Sequence, residues 1–358
     1  MQERTSHKMK PTKPTRRAVL QAGLGWAACP STVAVARPSP LDDRTDRTLV
    51  MLHLAGGNDG LNTIIPYTNS LYRNLRPRLS HAVKDALPID AGLAFHRSLA
   101  AMVPLFERGQ LAVVQGVGYP DPDYSHIGSC QIWATGQLCK NAQRPWWESV
   151  LDNLPLRSKP GAVCVGNQPS AMMATTRSAH VHIVEERARI ASRGVNATEH
   201  RLGRTGRTLA AIGRLVRSAH PPKLVFASVD GFDTHTDQLR KHAQLLRELS
   251  DGLAAFQHDL EVRDLADRVI VMAWSEFGRR PAENATGGTD HGSAGPVFVL
   301  GKKVRGGLYG KMPSLEDTDF GNLIPTVDFR EVYATLADHW LKCPSPPICP
   351  TGRTLAFL

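Results

Sequence analysis

The stretch Arg268–Gly301 constrains the fold more than any other part of the chain. An apolar run, Val269–Trp274, stops at Ser275 and Glu276, and a charged, Gly-rich loop then leads to a second apolar run, Pro296–Leu300. Apolar runs without polar alternation are typical of strands buried on both faces, as in a parallel sheet. Polar residues that follow such a strand lie where open α/β sheets bind their ligands. The stretch therefore predicts both a buried sheet and a site at its edge.

The same pattern continues along the whole chain. Further buried strands are predicted at Thr48–Leu54, Leu111–Gly118, Ala162–Val165 and Leu224–Val229. Helices are predicted at Phe95–Gln110, before Gly136, at Trp146–Leu154, at about 182–192 and 205–218, from Leu239 to about 262, and at Asp328–Leu341. Strands that alternate with helices predict an α/β fold, a three-layer sandwich with a mostly parallel central sheet.

Residues 1–36 have the features of an export signal. Arg16 and Arg17 precede a modest apolar run, Ala18–Cys29, which is too short to span a bilayer. Ala34-Val35-Ala36 then offers a cleavage site of small residues. The pattern resembles a twin-arginine signal peptide, although a disordered basic tail would also contain such residues. We therefore expect the twin-arginine machinery to export a folded, periplasmic or secreted product.

The remaining residues predict one large domain, 45–342, followed by a C-terminal tail, 343–358. No internal repeat or linker divides the domain, and the mixed segment 170–222 could form a small cap on it. No stretch after the signal approaches the roughly 18 apolar residues of a membrane helix, so we expect no membrane span in the mature protein.

The net charge of +10 argues for an anionic partner but not for nucleic acid. Residues 1–36 hold six Lys or Arg residues against Glu3 alone, so about half of the excess belongs to the predicted signal. The rest of the chain contains no basic tract with interleaved aromatic residues, which nucleic-acid binding would favour. A modest positive surplus suits an anionic substrate.

Carboxylates and imidazoles follow successive predicted strands. They are Asp59, Ser125 with His126, Asp233 with His235, Glu276, and Asp290 with His291. Oxygen and nitrogen donors that meet at one edge of a sheet are suitable ligands for a divalent metal. Each also has a simpler explanation: Asp59 could belong to a turn, Asp233 could cap a helix, and Glu276 could pair with an arginine. Their joint occurrence favours the metal hypothesis.

Five segments carry a family resemblance that covers 48–342. They are GGNDGLNT (56–63), YSHIGSCQIWATG (124–136), GFDTH (231–235), WSEFGRR (274–280) and TDHGSAGPVFVLGKKVRGGLYG (289–310). The chain resembles an uncharacterised family of twin-arginine-exported proteins, which is similar to the alkaline phosphatase and sulfatase superfamily. The resemblance implies an alkaline-phosphatase-like fold.

The resemblance also implies one or two divalent ions, zinc, manganese or calcium. By position Asp59 would serve the second metal, whereas Asp233, His235 and His291 would serve the first, and Glu276 would be a further ligand. Two departures from the superfamily pattern stand out. Asp233 and His235 are spaced DxH where the superfamily has DxxxH, and SEFG replaces SDHG, so that Phe277 stands where a histidine would bind metal.

Two hypotheses for the nucleophile follow from the resemblance. Either Ser125 is a metal-activated alkoxide, or His126 is a metal ligand and a metal-bound water attacks the substrate. Arg279 and Arg280 are candidates for binding an anionic ester, because guanidinium groups match phosphate and sulfate oxygens, and Asn58 is a third candidate for contacting the substrate.

The function expected from the sequence is that of an exported, metal-dependent hydrolase of phosphate or sulfate esters. The alternative is a non-catalytic periplasmic protein that keeps the fold and binds a metal or an anion without turnover. A fold alone does not decide between them.

Overall fold

The computed structural model describes residues 47–138, 142, 144–154, 161–166, 172, 181–184, 203–343, 349 and 352–358, with the backbone alone at 181–184. The predicted signal peptide lies outside these residues, as does most of the helix predicted at about 182–192. Within the described residues, no helix is both long and apolar enough to span a bilayer.

The elements alternate between strands and helices, as expected. The strands are β1 (Thr48–Ala55), β2 (Ile64–Ile65), β3 (Ala86–Pro88), β4 (Ala94–His96), β5 (Leu111–Gly118), β6 (Ala162–Val165), β7 (Val181–Val184), β8 (Leu224–Asp230), β9 (Val269–Trp274), β10 (Gly278–Glu283), β11 (Thr289–Gly292), β12 (Gly295–Leu300), β13 (Gly307–Tyr309), β14 (Thr318–Asp319), β15 (Asn322–Leu323) and β16 (Val327–Asp328). The α-helices are α1 (Ser70–Leu75), α2 (Val103–Glu107), α3 (His126–Thr135), α4 (Trp146–Asp152), α5 (Gly203–Val216), α6 (Gln238–Val262) and α7 (Phe329–Thr335).

The predicted mostly parallel sheet is confirmed. Its strands lie in the order β13, β5, β12, β9, β1, β8, β6, β7, and β16 also pairs with β5. Among the described strands of this sheet, β12 alone runs antiparallel to its neighbours, β5 and β9. The loops that follow β1, β5, β8 and β9 therefore leave the same edge of the sheet, and β12 enters there.

Helices cover both faces of this sheet, which makes the three-layer sandwich. In β1, Leu49 and Met51 pack into one core with Trp133 of α3, whereas Val50 and Leu52 pack into the opposite core, against α5 and α6. Such two-sided burial requires continuous apolar strands rather than alternating ones. The long predicted helix is confirmed as α6, whose leucines face the second core.

One expectation about the periphery is wrong. The helix predicted at Phe95–Gln110 is split into a 3₁₀ segment, Arg97–Met102, and the short α2. In the segment 170–222, whose role as a cap stays a prediction, β7 extends the sheet and α5 packs into the second core. In the C-terminal segment 343–358, Phe357 is fully buried in the first core.

Candidate metal centre

Loops at the carboxyl edge of the sheet bring three histidines and one aspartate together. His126 is the first residue of α3, whose N-terminus is capped by the hydroxyl of Ser125. Asp233 and His235 lie on the loop between β8 and α6, and His291 lies on β11. We call the four residues His126, Asp233, His235 and His291 the histidine cluster.

The donor atoms of the histidine cluster converge. Oδ1 of Asp233 lies 3.0 Å from Nε2 of His235 and 3.2 Å from Nε2 of His291, and these two nitrogens are 3.0 Å apart. Nε2 of His126 lies 3.6 Å from Oδ2 of Asp233. Ligands of a four-coordinate zinc with bonds of about 2.1 Å are roughly 3.4 Å apart. The donor atoms of His126, Asp233 and His291 lie within 4.8 Å of one another, so these three fit a single ion, and His235 adjoins them through Asp233 and His291.

Hydrogen bonds on the far side of two rings determine which nitrogen faces the centre. Nδ1 of His291 donates to the carbonyl of Tyr124 at 2.8 Å, and Nδ1 of His126 donates to Oε1 of Glu276 at 2.7 Å. In the neutral rings Nε2 then carries the lone pair, and it is Nε2 that faces Asp233. Metal-binding histidines are oriented by carbonyls and carboxylates in this manner.

The chemistry of the donors also fits a divalent cation. The Nε2 lone pair of His291 and the charge of Asp233 face each other at 3.2 Å, and a cation between them removes their repulsion. Burial by itself would raise the pKa of Asp233. Its interactions with neighbouring groups, chiefly the hydrogen bond from Arg279, outweigh burial, so the pKa is lowered. An ionised carboxylate with imidazole nitrogen donors suits zinc or manganese, whereas calcium requires oxygen ligands.

Glu276, expected to bind metal, lies behind His126 instead of among the converging atoms. Its buried carboxylate accepts hydrogen bonds from His126, from Nε2 of His53 at 2.9 Å and from the N–H of Gly56 at 2.9 Å. Burial would raise the pKa of Glu276, but the hydrogen bonds from His126 and His53 keep it far below its ordinary value. The hydrogen bond between His126 and Glu276 also raises the pKa of His126. Glu276 is thus placed to orient a ligand.

A second group of ligand-type side chains is buried near Glu276. It contains His53, Cys130 and Glu276, with donor atoms within 4.8 Å of one another. Burial raises the pKa of the Cys130 thiol, so the sulfur keeps its proton, and the thiolate is the form that binds metals. All three residues of this group are buried, whereas the residues of the histidine cluster are partly exposed and can be reached by an ion, so the histidine cluster is the better candidate for the metal centre.

Phe277, which follows Glu276, packs against the histidine cluster. The ring is buried, and its centroid lies 5.0 Å from that of His126 and 4.5 Å from that of His291. Phe277 thus packs against two imidazoles and restricts their orientation. An aromatic ring supplies no donor atom, so this position supports the centre by packing alone.

Arg279, expected to bind the anionic ester, is used inside the protein. It is buried and donates to the carbonyls of Gly57 and Thr289, both at 2.7 Å, as well as to Asp233 at 2.6 Å. It also donates to the carbonyls of Gly56 and Phe232. The expectation that Arg279 binds the ester is wrong. Its guanidinium N–H groups are used in hydrogen bonds that join three loops beneath the centre, so no pair of N–H groups remains to bind an anion.

Asp59 and Asn58, predicted as metal ligand and substrate contact, face the interior instead. Asp59 is fully buried and accepts a hydrogen bond from Arg76 at 2.7 Å and another from Gln238. Burial would raise the pKa of Asp59, but the charge of Arg76 outweighs it and lowers the pKa. Oδ1 of Asn58 accepts from Nε2 of His242 at 2.9 Å. The structure does not bring either residue into the histidine cluster.

Ser125 and Arg280 remain at the surface. The hydroxyl of Ser125 accepts from the N–H of Gly128 as a helix cap and, among the described residues, makes no hydrogen bond to the histidine cluster. Arg280 is exposed on β10, next to the buried Arg279. Arg280 therefore stays a candidate for contacting an anion.

Sequence reasoning missed His53 and the carbonyl of Tyr124 as orienting groups. His53 had one usable signal, because it interrupts the otherwise apolar run of β1. A buried polar side chain requires a partner, and here the partner is Glu276 at the end of the neighbouring strand β9. The sequence gives no indication of the Tyr124 carbonyl, because every residue has a backbone carbonyl.

One family model matches part of the chain. Residues 162–339 match the model of a family described as "Protein of unknown function (DUF1501)". No curated protein matches the chain.

Three solved structures are similar to the chain. The C-terminal periplasmic domain of EcEptC from Escherichia coli, in complex with Zn, is 12% identical, with 86% of each chain covered and a TM-score of 0.44. A protein in the alkaline phosphatase superfamily from Vibrio parahaemolyticus is 10% identical over 87% of this chain and 69% of its own, with a TM-score of 0.42. The lipoteichoic acid synthase LtaP from Listeria monocytogenes is 10% identical over 75% and 67%, with a TM-score of 0.38.

Replacing Glu276 by Gln is expected to lower zinc affinity by about ten- to a hundredfold, because the orienting negative charge behind His126 is lost while the side-chain shape is kept. Competition with a chromophoric chelator measures the affinity. Glu316→Gln, which changes an exposed glutamate, is the matched control. Unchanged zinc affinity in the Glu276 variant would contradict the orienting role.

Proposed function

We propose that the protein is an exported hydrolase of phosphate or sulfate esters that uses one divalent metal ion held by the histidine cluster. One observation carries this proposal: the imidazoles of His126 and His291 converge with the carboxylate of Asp233 at the edge of the sheet, and both rings are oriented from behind, while His235 lies against Asp233 and His291. The ion is zinc or manganese by the chemistry of its donors. When bound, it supplies a Lewis acid that polarises the ester and lowers the pKa of a coordinated water.

The protein groups around the centre have separate tasks. Glu276 holds the proton on Nδ1 of His126, and the Tyr124 carbonyl holds the proton on Nδ1 of His291. Arg279 keeps Asp233 ionised and fixes its loop. The side chain of Asp233 is 46% exposed, so an ester in solution can reach the cluster. Arg280, exposed on the adjacent strand, is the candidate for binding the anionic group.

The site supports the second of the two nucleophile hypotheses. His126 takes part in the converging donor set, whereas the hydroxyl of Ser125 caps α3. We therefore assign His126 as a metal ligand and a water molecule as the attacking group. Export by the twin-arginine route into the periplasm or the medium belongs to the same proposal, since a preformed metal centre is compatible with transport of the folded chain.

The proposal is tested by metal analysis of purified protein supplemented with zinc or manganese, followed by assays on aryl phosphates and aryl sulfates. We expect one ion per chain and hydrolysis of at least one ester. A folded protein without stoichiometric metal would overturn the proposal. Bound metal without turnover of any ester would support the non-catalytic alternative.

Ser125→Ala is expected to keep most of the hydrolytic rate, since the variant removes only a helix cap, at a stability cost of about 1 kcal/mol. Ser125→Asn is the matched control, because it lacks the hydroxyl but keeps a capping acceptor. The measurement is kcat on the best ester found. A loss of activity in both variants would restore the serine as nucleophile.

A further inference from the structure

A hairpin turn adjoins the histidine cluster at His235. It joins β10 to β11 through residues 284–288, and we call it the 284–288 turn. Oδ1 of Asn284 accepts hydrogen bonds from the N–H of Thr286 at 3.0 Å and from the N–H of Gly288 at 2.9 Å. An asparagine that bonds the backbone two residues further on is a common means of closing a turn. The acceptor half of the Asn284 amide is therefore used inside the turn.

The donor half of the same amide faces His235. Nδ2 of Asn284 donates to the carbonyl of His235 at 3.0 Å and to Oδ1 of Asp290 at 3.3 Å. An amide nitrogen carries two hydrogens, so it can serve both acceptors at once. The hydroxyl of Thr286 donates to the same carbonyl of His235 at 2.8 Å. Two side chains of the 284–288 turn thus hold the backbone of His235.

The 284–288 turn also packs directly on the backbone of His235. A Cβ added to Gly288 would collide with the carbonyl carbon and oxygen of His235, so this position requires glycine. The N–H of Gln238, three residues after His235, donates to the carbonyl of Gly287 at 3.0 Å. With contacts this close, a displacement of the turn displaces His235 as well.

The ring of His235 is oriented from the same side. Nδ1 of His235 lies 3.5 Å from Oδ1 of Asp290, the oxygen that Nδ2 of Asn284 also contacts. A carboxylate beside Nδ1 favours the proton on that nitrogen and leaves the lone pair on Nε2. Nε2 lies 3.0 Å from Oδ1 of Asp233 and 3.0 Å from Nε2 of His291. Asn284 thus holds both the backbone of His235 and the carboxylate beside its ring.

His235 depends on this support more than the other two histidines do. Its side chain is 41% exposed, against 22% for His291. Within the described residues, the ring of Phe277 packs against His126 and His291 but not against His235. An exposed side chain loses rotamer freedom when it binds a ligand, which lowers the affinity unless other groups already hold it in place.

We propose that Asn284 is a positioning residue of the metal centre, which holds His235 in place as a further ligand of the ion in the histidine cluster. This inference rests on the proposed function, because it assumes that the cluster binds a divalent ion. Asn284 itself contacts neither the ion nor the substrate. It acts through His235, whose Nε2 it keeps beside the donor atoms of Asp233 and His291.

The test removes the donor half of the amide and keeps an acceptor for the turn. Asn284→Ser supplies a hydroxyl that can accept from the N–H of Thr286, but it lacks the nitrogen that bonds His235. Chelator competition on the full-length protein should show zinc affinity lower by about ten- to a hundredfold. The absorption spectrum of the cobalt-loaded variant should change too, because it reports the ligands around the ion. Asn153→Ser, which changes an exposed asparagine after α4, is the matched control and should alter neither.

A double-mutant cycle shows whether Asn284 acts through His235. In a His235→Ala chain, Asn284→Ser should have no further effect on zinc affinity, because the ligand that it positions is gone. Circular dichroism checks that each variant is folded. Thr286→Val removes the second hydrogen bond to the His235 carbonyl and should lower zinc affinity by a smaller factor, and it takes the place of Asn284→Ser if that variant does not fold.

The outcomes separate this inference from the function on which it rests. Unchanged zinc affinity in the folded turn variant, or an equal loss with and without His235, would overturn the positioning role alone. Failure of the wild-type chain to bind zinc would overturn the proposed function together with it.

Discussion

Replacement of His291 by alanine should leave a folded protein that no longer binds zinc stoichiometrically and has lost its hydrolytic activity. Nε2 of His291 lies within 3.2 Å of both Asp233 and His235, so the variant removes a donor from the middle of the cluster. Loss of a group that only orients a ligand lowers metal affinity by about ten- to a hundredfold, and loss of the ligand itself should exceed that range. Zinc affinity is measured by competition with a chromophoric chelator. Activity is measured as kcat on the best ester found.

The comparison needs a histidine whose loss changes nothing at the centre. His258 is exposed on α6, so His258→Ala should keep both the zinc content and the activity of the wild-type chain. Circular dichroism shows whether the His291 variant is folded. A folded His291→Ala protein with undiminished zinc affinity would remove the basis of the proposed metal centre.

Most of the sheet was predictable because its strands are buried on both faces. β5, β6 and β9 begin and end at the predicted residues, and β1, β8 and β12 are each one residue longer than predicted. Continuous apolar runs give this signal locally, without knowledge of the partner strand. The helix predicted at Phe95–Gln110 failed for a local reason as well: Leu99 has non-helical backbone angles, and the α-helix begins only at Val103, with Pro104 in its first turn.

The histidine cluster was predictable in its members but not in its geometry. His126, Asp233 and His235 follow strands that end at one edge of the sheet, and His291 precedes β12, which begins at that edge, so the sheet brings them together. The sequence also pointed to Glu276 and Arg279, which do lie next to the cluster. The roles predicted for Glu276 and Arg279 were wrong. A charged residue beside a site either binds the ligand or supports the residues that bind it, and which of these roles it has depends on whether its side chain is buried.

Asp59 shows why the remaining errors could not be avoided. The motif GGNDG predicts a loop with a carboxylate at the edge of the sheet, and both features are present. The partner of Asp59 is Arg76, which lies 17 residues further on in a segment without clear periodicity. Nothing in such a segment indicates which arginine turns inward. A long-range pair of this kind is determined by the tertiary structure alone.

Arg76→Met is expected to destabilise the protein by about 3–5 kcal/mol, the largest effect on folding that we predict. Both side chains of the pair are fully buried, and Arg76 also donates to the carbonyls of Pro281 and Arg280. Within the described part of the chain, Oδ1 of Asp59 has no hydrogen-bond partner, so removal of Arg76 leaves its charge with little compensation. The free energy of unfolding is measured in urea.

Two further variants separate the buried charge from the loss of packing. Asp59→Asn combined with Arg76→Met should recover a substantial part of the lost stability, because the double variant leaves no uncompensated charge in the interior. Arg263→Met removes an exposed arginine that pairs with Asp259 and should cost less than about 1 kcal/mol. If the double variant is no more stable than Arg76→Met, the penalty arises from packing and from the lost carbonyl hydrogen bonds. If Arg76→Met itself costs no more than Arg263→Met, the buried pair does not hold the loop after β1 in place.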